Sequence, residues 1–387
     1  MTGPSSDALS GKSAVPASAG AGTWREAGAD SRRVSRFLAR AGRPGPEEIL
    51  VGELGEPFRE YRRRWELARS LAWIPPFPLH VDYELMSACN LRCPMCLFAG
   101  KARAEAGAAA AGIPESAAGA AGAEDAGISG EPSGGRSLPL CLAKDLLAEG
   151  AGSGQASMGF GGLWEPLLSR DIEELTERGR ALGLTDAMLS TNGTLLSRSR
   201  ARDLIGAGLT RLMVSLDAAS EGVYSLMRPG ASLAETEGNV MGFLAEREAA
   251  GKRLPLLRLS FCVTRLNEHE LEPFLSRWEG KADFFSVQRY GDFGAGPPVF
   301  AANPPGPAPS GRCAQPFKRL AVRHDGTALP CCDLSGRPLA LGNVRGSGLG
   351  GLWNGKAVAS LREAILADDP EGLPEACRRC RAKYAPA

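Results

Sequence analysis

The ten cysteines of this 387-residue chain are placed unevenly, and their placement restricts the fold more than any other feature. Cys89, Cys93 and Cys96 crowd one short stretch. Cys313, Cys331, Cys332, Cys377 and Cys380 fall near the C-terminus, and Cys141 and Cys262 stand alone. Disulfides are one use for such a set. The N-terminus, however, lacks the charged start and apolar block of an export signal, and a chain this long buries a core that needs no covalent staples. Thiols grouped in this way, in a reducing compartment, read as metal ligands.

Charge adds little. Lys and Arg total 45 against 44 Asp and Glu, a net +1, which leaves no electrostatic footprint for nucleic acid. No apolar run reaches membrane-spanning length, so the expected location is the cytoplasm, with no membrane partner. Residues 1–30, rich in Ala, Gly and Ser, read as a disordered tail; their Arg and Ser content faintly suggests a transit peptide, which Asp7, Glu26 and Asp30 argue against. Residues 31–75 read as a helical, basic extension with Arg59, Arg62, Arg63 and Arg64 near Trp65, packed on the main domain with a solvated face in preference to binding a partner.

From residue 76 to 290 the pattern alternates. Strands are expected at 80–87, 156–161, 186–191, 210–216, 256–264 and 283–288, with helices near 140–149, 170–182, 198–207, 233–250 and 268–279. Six strands with intervening helices imply a parallel sheet, curled by right-handed crossovers into a full or partial barrel. A low-complexity insertion at 100–137 interrupts it, and a Gly- and Pro-rich linker follows at 291–311. Residues 312–387 form a smaller α+β unit: a hairpin of strands 317–323 and 327–331 turning at Asp325-Gly326, a helix near 356–367, and a closing Cys377-Arg378-Arg379-Cys380.

The first cysteine group is Cys89-Asn-Leu-Arg-Cys93-Pro-Met-Cys96, directly after a strand. Three thiolates at this spacing can ligate three irons of a [4Fe–4S] cube and leave the fourth open to chelate a small molecule. Structural zinc would want a fourth ligand, and no His is close enough in sequence to supply one. Three further segments follow at the ends of later strands: Gly161-Gly162-Leu163-Trp164-Glu165-Pro166, Ser190-Thr191-Asn192-Gly193-Thr194, and Ser215-Leu216-Asp217 with Arg228 beyond it. The motif CxxxCxxC after the first strand of a six-unit α/β barrel, with these segments in order, resembles the radical S-adenosylmethionine (SAM) superfamily. The family usually has an aromatic residue before the third cysteine, where this chain has Met95, and Trp164 intrudes into the GGEP element. The resemblance implies that Cys89, Cys93 and Cys96 hold a SAM-binding [4Fe–4S] cluster. It also implies that Glu165 and the backbone around it hold the SAM ammonium, that Asn192 belongs to the SAM-facing TNG turn, and that Ser215 and Arg228 bind the SAM carboxylate.

Cys313, Cys331, Cys377 and Cys380 can supply four thiolates to a second site. By residue type alone, zinc and iron–sulfur fit equally, since a hairpin plus CxxC is also a zinc-ribbon theme. The surrounding Cys313-Ala-Gln-Pro, Pro330-Cys331-Cys332-Asp333, Leu341-Gly342-Asn343-Val344 and Leu352-Trp353-Asn354 resemble a shortened SPASM, or twitch, domain, which implies one auxiliary [4Fe–4S] cluster. Cys332 is left over: a spare ligand, a packed thiol or a redox-active group, and the candidate catalytic cysteine if the enzyme is an epimerase. Cys141 and Cys262 read as small buried hydrophobes.

The expected fold is therefore α/β, a partial (β/α)6 radical SAM barrel with a small C-terminal α+β cluster-binding domain. The expected chemistry is cleavage of SAM to a 5′-deoxyadenosyl radical that takes hydrogen from a substrate, with an electron donor such as flavodoxin or ferredoxin. The layout is similar to members that dehydrogenate or epimerise a carbohydrate or aminocyclitol. A maturase acting on a peptide or protein is the alternative enzyme, and an iron–sulfur or zinc scaffold or sensor the alternative outside catalysis.

Overall fold

The computed structural model describes residues 24–30, 35–40, 42–96, 137–162, 164–290, 312–331 and 339–382. The expected tail before residue 24, nearly all of the insertion, and the linker at 291–311 lie outside the described residues, as does Cys332.

Six parallel strands form the centre: β3 (His80–Tyr83), β4 (Ser157–Phe160), β5 (Asp186–Thr191), β6 (Arg211–Ser215), β7 (Leu256–Val263) and β8 (Phe284–Arg289). Each pairs with the next in parallel register, for example Met188 with Arg211 and Ser215 with Ser260. Helices cross between them: α2 (Leu140–Gly152), α3 (Ile172–Ala181), α4 (Arg198–Gly206), α5 (Glu221–Met227), α6 (Leu233–Ala249) and α7 (Leu271–Trp278). Ser197, Ser220 and Ser232 cap α4, α5 and α6 by accepting backbone N–H bonds, the usual way a short polar side chain satisfies a helix's first donors.

Strand alternation divides the side chains cleanly. Val81, Tyr83, Met158, Phe160, Leu189, Val214, Leu259 and Phe285 face the helices and build the main core. The opposite set faces inward and is mixed: Leu256 and Phe284 are apolar, while His80, Asp82, Ser157, Asp186, Arg211, Arg258 and Ser260 are polar. A Cβ on Gly159 would stand 2.5 Å from Asp82 Oδ1, which fixes both residues on that inner side.

The N-terminal region differs from the sequence expectation. Residues 24–30 are strand β1 (Trp24–Asp30), and β2 (Ser35–Arg40) pairs antiparallel with both β1 and β8. The open edge of β8 offers a row of unpaired backbone groups, and pairing with it overrides a composition poor in strand formers. Helix α1 (Pro46–Arg69) begins only after that hairpin and breaks at Gly55, whose φ of 69° precedes Pro57. Its Leu50, Phe58 and Tyr61 pack on Leu79, Leu256 and Phe284, residues at the N-terminal ends of the strands. So α1 closes the far end of the barrel.

The C-terminal hairpin forms as expected, from β9 (Arg319–Val322) and β10 (Thr327–Leu329), with β11 (Gly342–Asn343) beside it. Its docking was not foreseen. β9 pairs in parallel with β3, so one eleven-stranded sheet runs in the order β1-β2-β8-β7-β6-β5-β4-β3-β9-β10-β11 among the described residues. Helix α8 (Val344–Trp353) is tied to the barrel as Glu149 of α2 accepts from the N–H groups of Leu349 and Gly350, and Trp353 Nε1 donates to the Pro75 carbonyl. Helices α9 (Lys356–Ala367) and α10 (Glu375–Ala382) complete the unit. No helix among the described residues is long and apolar enough to cross a membrane.

Candidate functional site

The cysteine loop lies at the C-terminal ends of the strands, where barrel active sites form. It is fastened from two neighbouring strand ends. The Glu165 N–H donates to the Ala88 carbonyl at 3.0 Å, just before Cys89. From the β5 side, Asn192 Nδ2 donates to Asn90 Oδ1 at 2.9 Å, and Asn90 Nδ2 donates to Thr194 Oγ1 at 2.8 Å. Asn192 Oδ1 accepts from the Thr194 N–H and hydroxyl, so the turn is rigid in itself. Gly193 makes it possible: its φ is +79°, and a Cβ there would meet Val214 Cγ1 at 2.7 Å.

Glu165 is bonded within the fold. It is 2% exposed, with Oε1 accepting from Leu167 N–H and Thr191 Oγ1 and Oε2 from Asn192 N–H. Burial raises its pKa against those three donors. The carboxylate joins the β4 and β5 ends.

Arg228 is 6% exposed and ion-paired with Asp217, while its Nε is buried with no hydrogen-bond partner. Burial opposes its charge, yet Asp217 and the Cys93 thiolate together hold its pKa above the ordinary value. Asp217 adopts φ 63°, a left-handed conformation that only local bonding sustains in a non-glycine residue. That bonding is present: Asp217 Oδ1 accepts from the Cys262 N–H at 2.7 Å, and the fully buried Asn267 donates to the Asp217 carbonyl at 2.8 Å. Ser215 is half-buried on the inner face, one strand residue from this corner. Asp217 stands in a motif read for its serine, and Asn267 carried no sequence signal.

The thiols resist ionisation as they stand. Burial pushes Cys93 up to about 12; the Arg228 cation lowers it, and the Cys96 and Cys89 charges raise it. Burial also raises Cys89, against a bond from the Leu91 N–H. Cys96 is exposed. Among the described residues no three His, Cys, Asp or Glu side chains already stand as an ion cage. Three thiols close enough to repel one another as anions suit a bound cation centre such as an iron cluster, which stabilises all three thiolates together.

Between β3 and β9 lies a group that the sequence reading passed over. Glu84 is 3% exposed; its Oε1 is hydrogen-bonded with His324 Nδ1 at 2.7 Å and stands 3.8 Å from Arg323 Nε, while Oε2 has no hydrogen-bond partner. Strand alternation, which turns residue 84 inward with residues 80 and 82, was the available signal. In the C-terminal unit, Cys313 and Cys377 pack against Phe317, Leu361, Ile365 and Leu373. Cys331 ends the hairpin, and Cys380 lies in α10 with Cys377. Cys262 is half-buried on the inner face of β7, not sealed in the core as expected.

A parallel barrel with a thiol loop at its mouth and further thiols in an appended hairpin unit is what the comparisons with known proteins also find. Residues 83–241 match the model of the radical SAM superfamily and residues 313–381 that of the SPASM iron–sulfur cluster-binding domain, so the chain contains a radical SAM region and a SPASM region. Its cofactors are accordingly SAM and two [4Fe–4S] clusters. Among curated relatives, it is 33% identical over 133 residues to a GTP 3′,8-cyclase of Xanthomonas axonopodis pv. citri (strain 306), across 34% of this chain and 38% of that protein. It is 31% identical over 156 residues to an AdoMet-dependent heme synthase of Methanosarcina barkeri (strain Fusaro / DSM 804), across 40% of this chain and 36% of that protein. The matched part thus spans well under half of these relatives. The fold is similar to that of Streptococcus suis SuiB bound to its precursor peptide SuiA, with a TM-score of 0.55 at 14% identity over 88% of this chain and 89% of that one.

Proposed function

We propose that this chain is an enzyme that removes hydrogen from a small, polar substrate, with dehydrogenation or epimerisation of a carbohydrate or aminocyclitol as the reaction. The observation that carries the substrate class is the inner face of the barrel. There Glu84, Arg258, Ser260 and Ser286 stand where an ordinary barrel is filled by aliphatic side chains. Such a lining suits hydroxyl and ammonium groups and penalises an apolar guest left without partners.

Cys89, Cys93 and Cys96 would hold the SAM-binding cluster, and Cys313, Cys331, Cys377 and Cys380 the auxiliary one. Bound there, these groups supply the 5′-deoxyadenosyl radical and an acceptor for the electron left on the substrate. The chain does the rest. Arg228, steadied by Asp217, offers its unpartnered Nε to the SAM carboxylate, and the Ser215 hydroxyl adds a second donor. Asn192 fixes the thiol loop through Asn90. The polar inner wall orients the substrate so that one C–H bond faces the radical, and α1 shuts the far end against water. A flavodoxin or ferredoxin would deliver the starting electron. In an epimerase, Cys332 would return hydrogen to the opposite face of the substrate.

The test is turnover of the anaerobically reconstituted protein with SAM and a reductant, offered a panel of aminocyclitols and sugars and, separately, short peptides. The expected result is 5′-deoxyadenosine together with a keto or inverted product from the first panel. Deuterium entering at carbon from deuterated water, and lost in Cys332→Ala, would mark epimerisation. A mass change confined to a peptide would overturn the substrate class, and no 5′-deoxyadenosine with any substrate would overturn the reading altogether.

A further inference from the structure

The C-terminal unit contains a buried cation with no anion beside it among the described residues. Arg362 in α9 is 5% exposed. Its Nε donates to the Pro316 carbonyl and its Nη1 to the Trp353 carbonyl, both at 2.9 Å, and its guanidinium carbon lies 4.0 Å from the centre of the Trp353 ring. Nη2 is buried and has no hydrogen-bond partner. These contacts are all to neutral groups, and burial alone draws the guanidinium pKa down to about 10. The other deeply buried arginines have a carboxylate near: Arg228 has Asp217, and Arg323 has Glu84. A buried charge left without a counter-charge is destabilising, which makes an anion that comes to it the natural complement.

The surroundings of Arg362 say what that is. Pro316, which takes its Nε–H, lies three residues beyond Cys313. Phe317 and Leu361, the chain neighbours of Pro316 and Arg362, belong to one small apolar cluster, and Cys313 and Cys377 pack against that same cluster. Gln315, two residues from Cys313, is also buried and has an unpartnered Oε1. The guanidinium is therefore tied to the loop that carries Cys313, and its chain neighbour Leu361 belongs to the core on which Cys313 and Cys377 pack.

We propose that Arg362 is the counter-charge of the auxiliary cluster and raises its reduction potential. This rests on the reading that Cys313, Cys331, Cys377 and Cys380 ligate that cluster. A cube ligated by four thiolates is an anion, and one-electron reduction makes it more negative. A fixed cation in a low-dielectric surrounding stabilises the reduced form more than the oxidised one, so the cluster accepts an electron more readily.

The experiment is a redox titration with dithionite, followed by electron paramagnetic resonance, on the reconstituted full chain carrying Cys89→Ala, Cys93→Ala and Cys96→Ala, which isolates the auxiliary cluster. Arg362→Met should shift the midpoint to a more negative potential at equal iron content, while Arg362→Lys, which keeps the charge, should stay close to the parent. Loss of the cluster in Arg362→Met with retention in Arg362→Lys would also support the proposal. An unchanged midpoint in Arg362→Met overturns it, and so does loss of the cluster in both variants, which would make Arg362 a packing residue. Zinc in place of iron in the parent would overturn the cluster assignment itself, and the inference with it.

Discussion

The two ends of the parallel strands use similar residues to opposite ends. At the N-terminal ends, His80 is hydrogen-bonded with Ser157 at 2.8 Å and Asp82 at 2.9 Å, and Asp186 accepts from Ser157, Thr210 and Arg211. Arg319 pairs with Asp82, and Trp65 of α1 covers His80 edge-on. Ser157 and Asp186 are fully buried, and both carboxylates have charged partners. At the C-terminal ends, Arg228 Nε and Glu84 Oε2 are buried without partners, and burial, with the Cys96 and Cys89 charges, raises the Cys93 thiol. At the closed end every oxygen of Asp82 and Asp186 has a partner, and such a network holds a structure together, whereas a buried carboxylate oxygen left over, as at Glu84, marks a place shaped for something else. A Ser–His–Asp grouping at the closed end is thus a strut, even though its residue types suggest chemistry.

Substitutions at the two ends should therefore separate function from stability. The largest effect is expected at the open end. Replacing Cys89, Cys93 and Cys96 together by Ala should abolish SAM cleavage and remove about half of roughly eight irons per chain, with little change in folding. Iron analysis and 5′-deoxyadenosine assay check this, and full iron in the variant would place the first cluster elsewhere. At the closed end, Asp186→Ala leaves the part-buried Arg211 without its counter-charge and the fully buried Ser157 hydroxyl without its carboxylate acceptor. It should cost about 3–5 kcal/mol in denaturant unfolding while the surviving folded protein binds SAM as tightly as the parent. Equal stability would mean that the strut carries no load.

The open end was the more legible in sequence because its chemistry is written in consecutive residues. The thiol spacing, the Gly-Gly and Asn-Gly turns and the Ser-Leu-Asp corner are local, and each sits where an apolar strand stops. The central strands were legible for a related reason, as alternation such as Leu256 to Val263 is set by one buried face. What escaped was non-local. β1 and β2 exist because β8 has a free edge, and nothing in Trp24–Asp30 announces that edge. The β9 run is readable as a hairpin strand, but its parallel partner β3 lies more than two hundred residues away. Glu165 shows the same limit at the site: its position was evident, while its commitment to Thr191 and Asn192 depends on two strands meeting.

Smaller effects should follow at the SAM contacts. Arg228→Ala and Ser215→Ala should each weaken SAM binding by about 1.5–3 kcal/mol, the worth of a hydrogen bond to a charged group, without altering iron content. Calorimetric titration of the reconstituted protein reads this directly. Asp217→Asn keeps the side chain's size and removes the charge that holds Arg228, so it should produce a loss in the same direction. Unchanged affinity in both the Arg228 and Ser215 variants would show that SAM lies elsewhere at the barrel mouth.

The smallest expected effect is a pH dependence of stability between neutral and mildly acid pH that comes from the closed end. Burial, helped by the Arg319, Arg211 and Lys318 cations, holds His80 well below the ordinary histidine range, with Asp186 as the opposing influence. His80 is thus neutral in the folded protein across the neutral range. In the unfolded chain it protonates near its usual value of about 6.5. Below that pH the unfolded state binds a proton that the folded state does not, so stability is complete above about pH 6.5 and falls as the pH drops. The slope approaches at most about 1.4 kcal/mol per pH unit for one group. Carboxylates that are ion-paired in the fold, Asp186 among them, add their own loss only at lower pH, since Arg211 holds Asp186 below the usual carboxylate range. Urea unfolding of the cluster-free protein at pH 7.5 and at about pH 5.5 should therefore show a drop that His80→Gln reduces. The same substitution should leave SAM affinity of the reconstituted protein unchanged at pH 7.5. A drop of equal size in His80→Gln would assign the acid sensitivity to other groups, and a loss of SAM binding would show that the two ends are coupled.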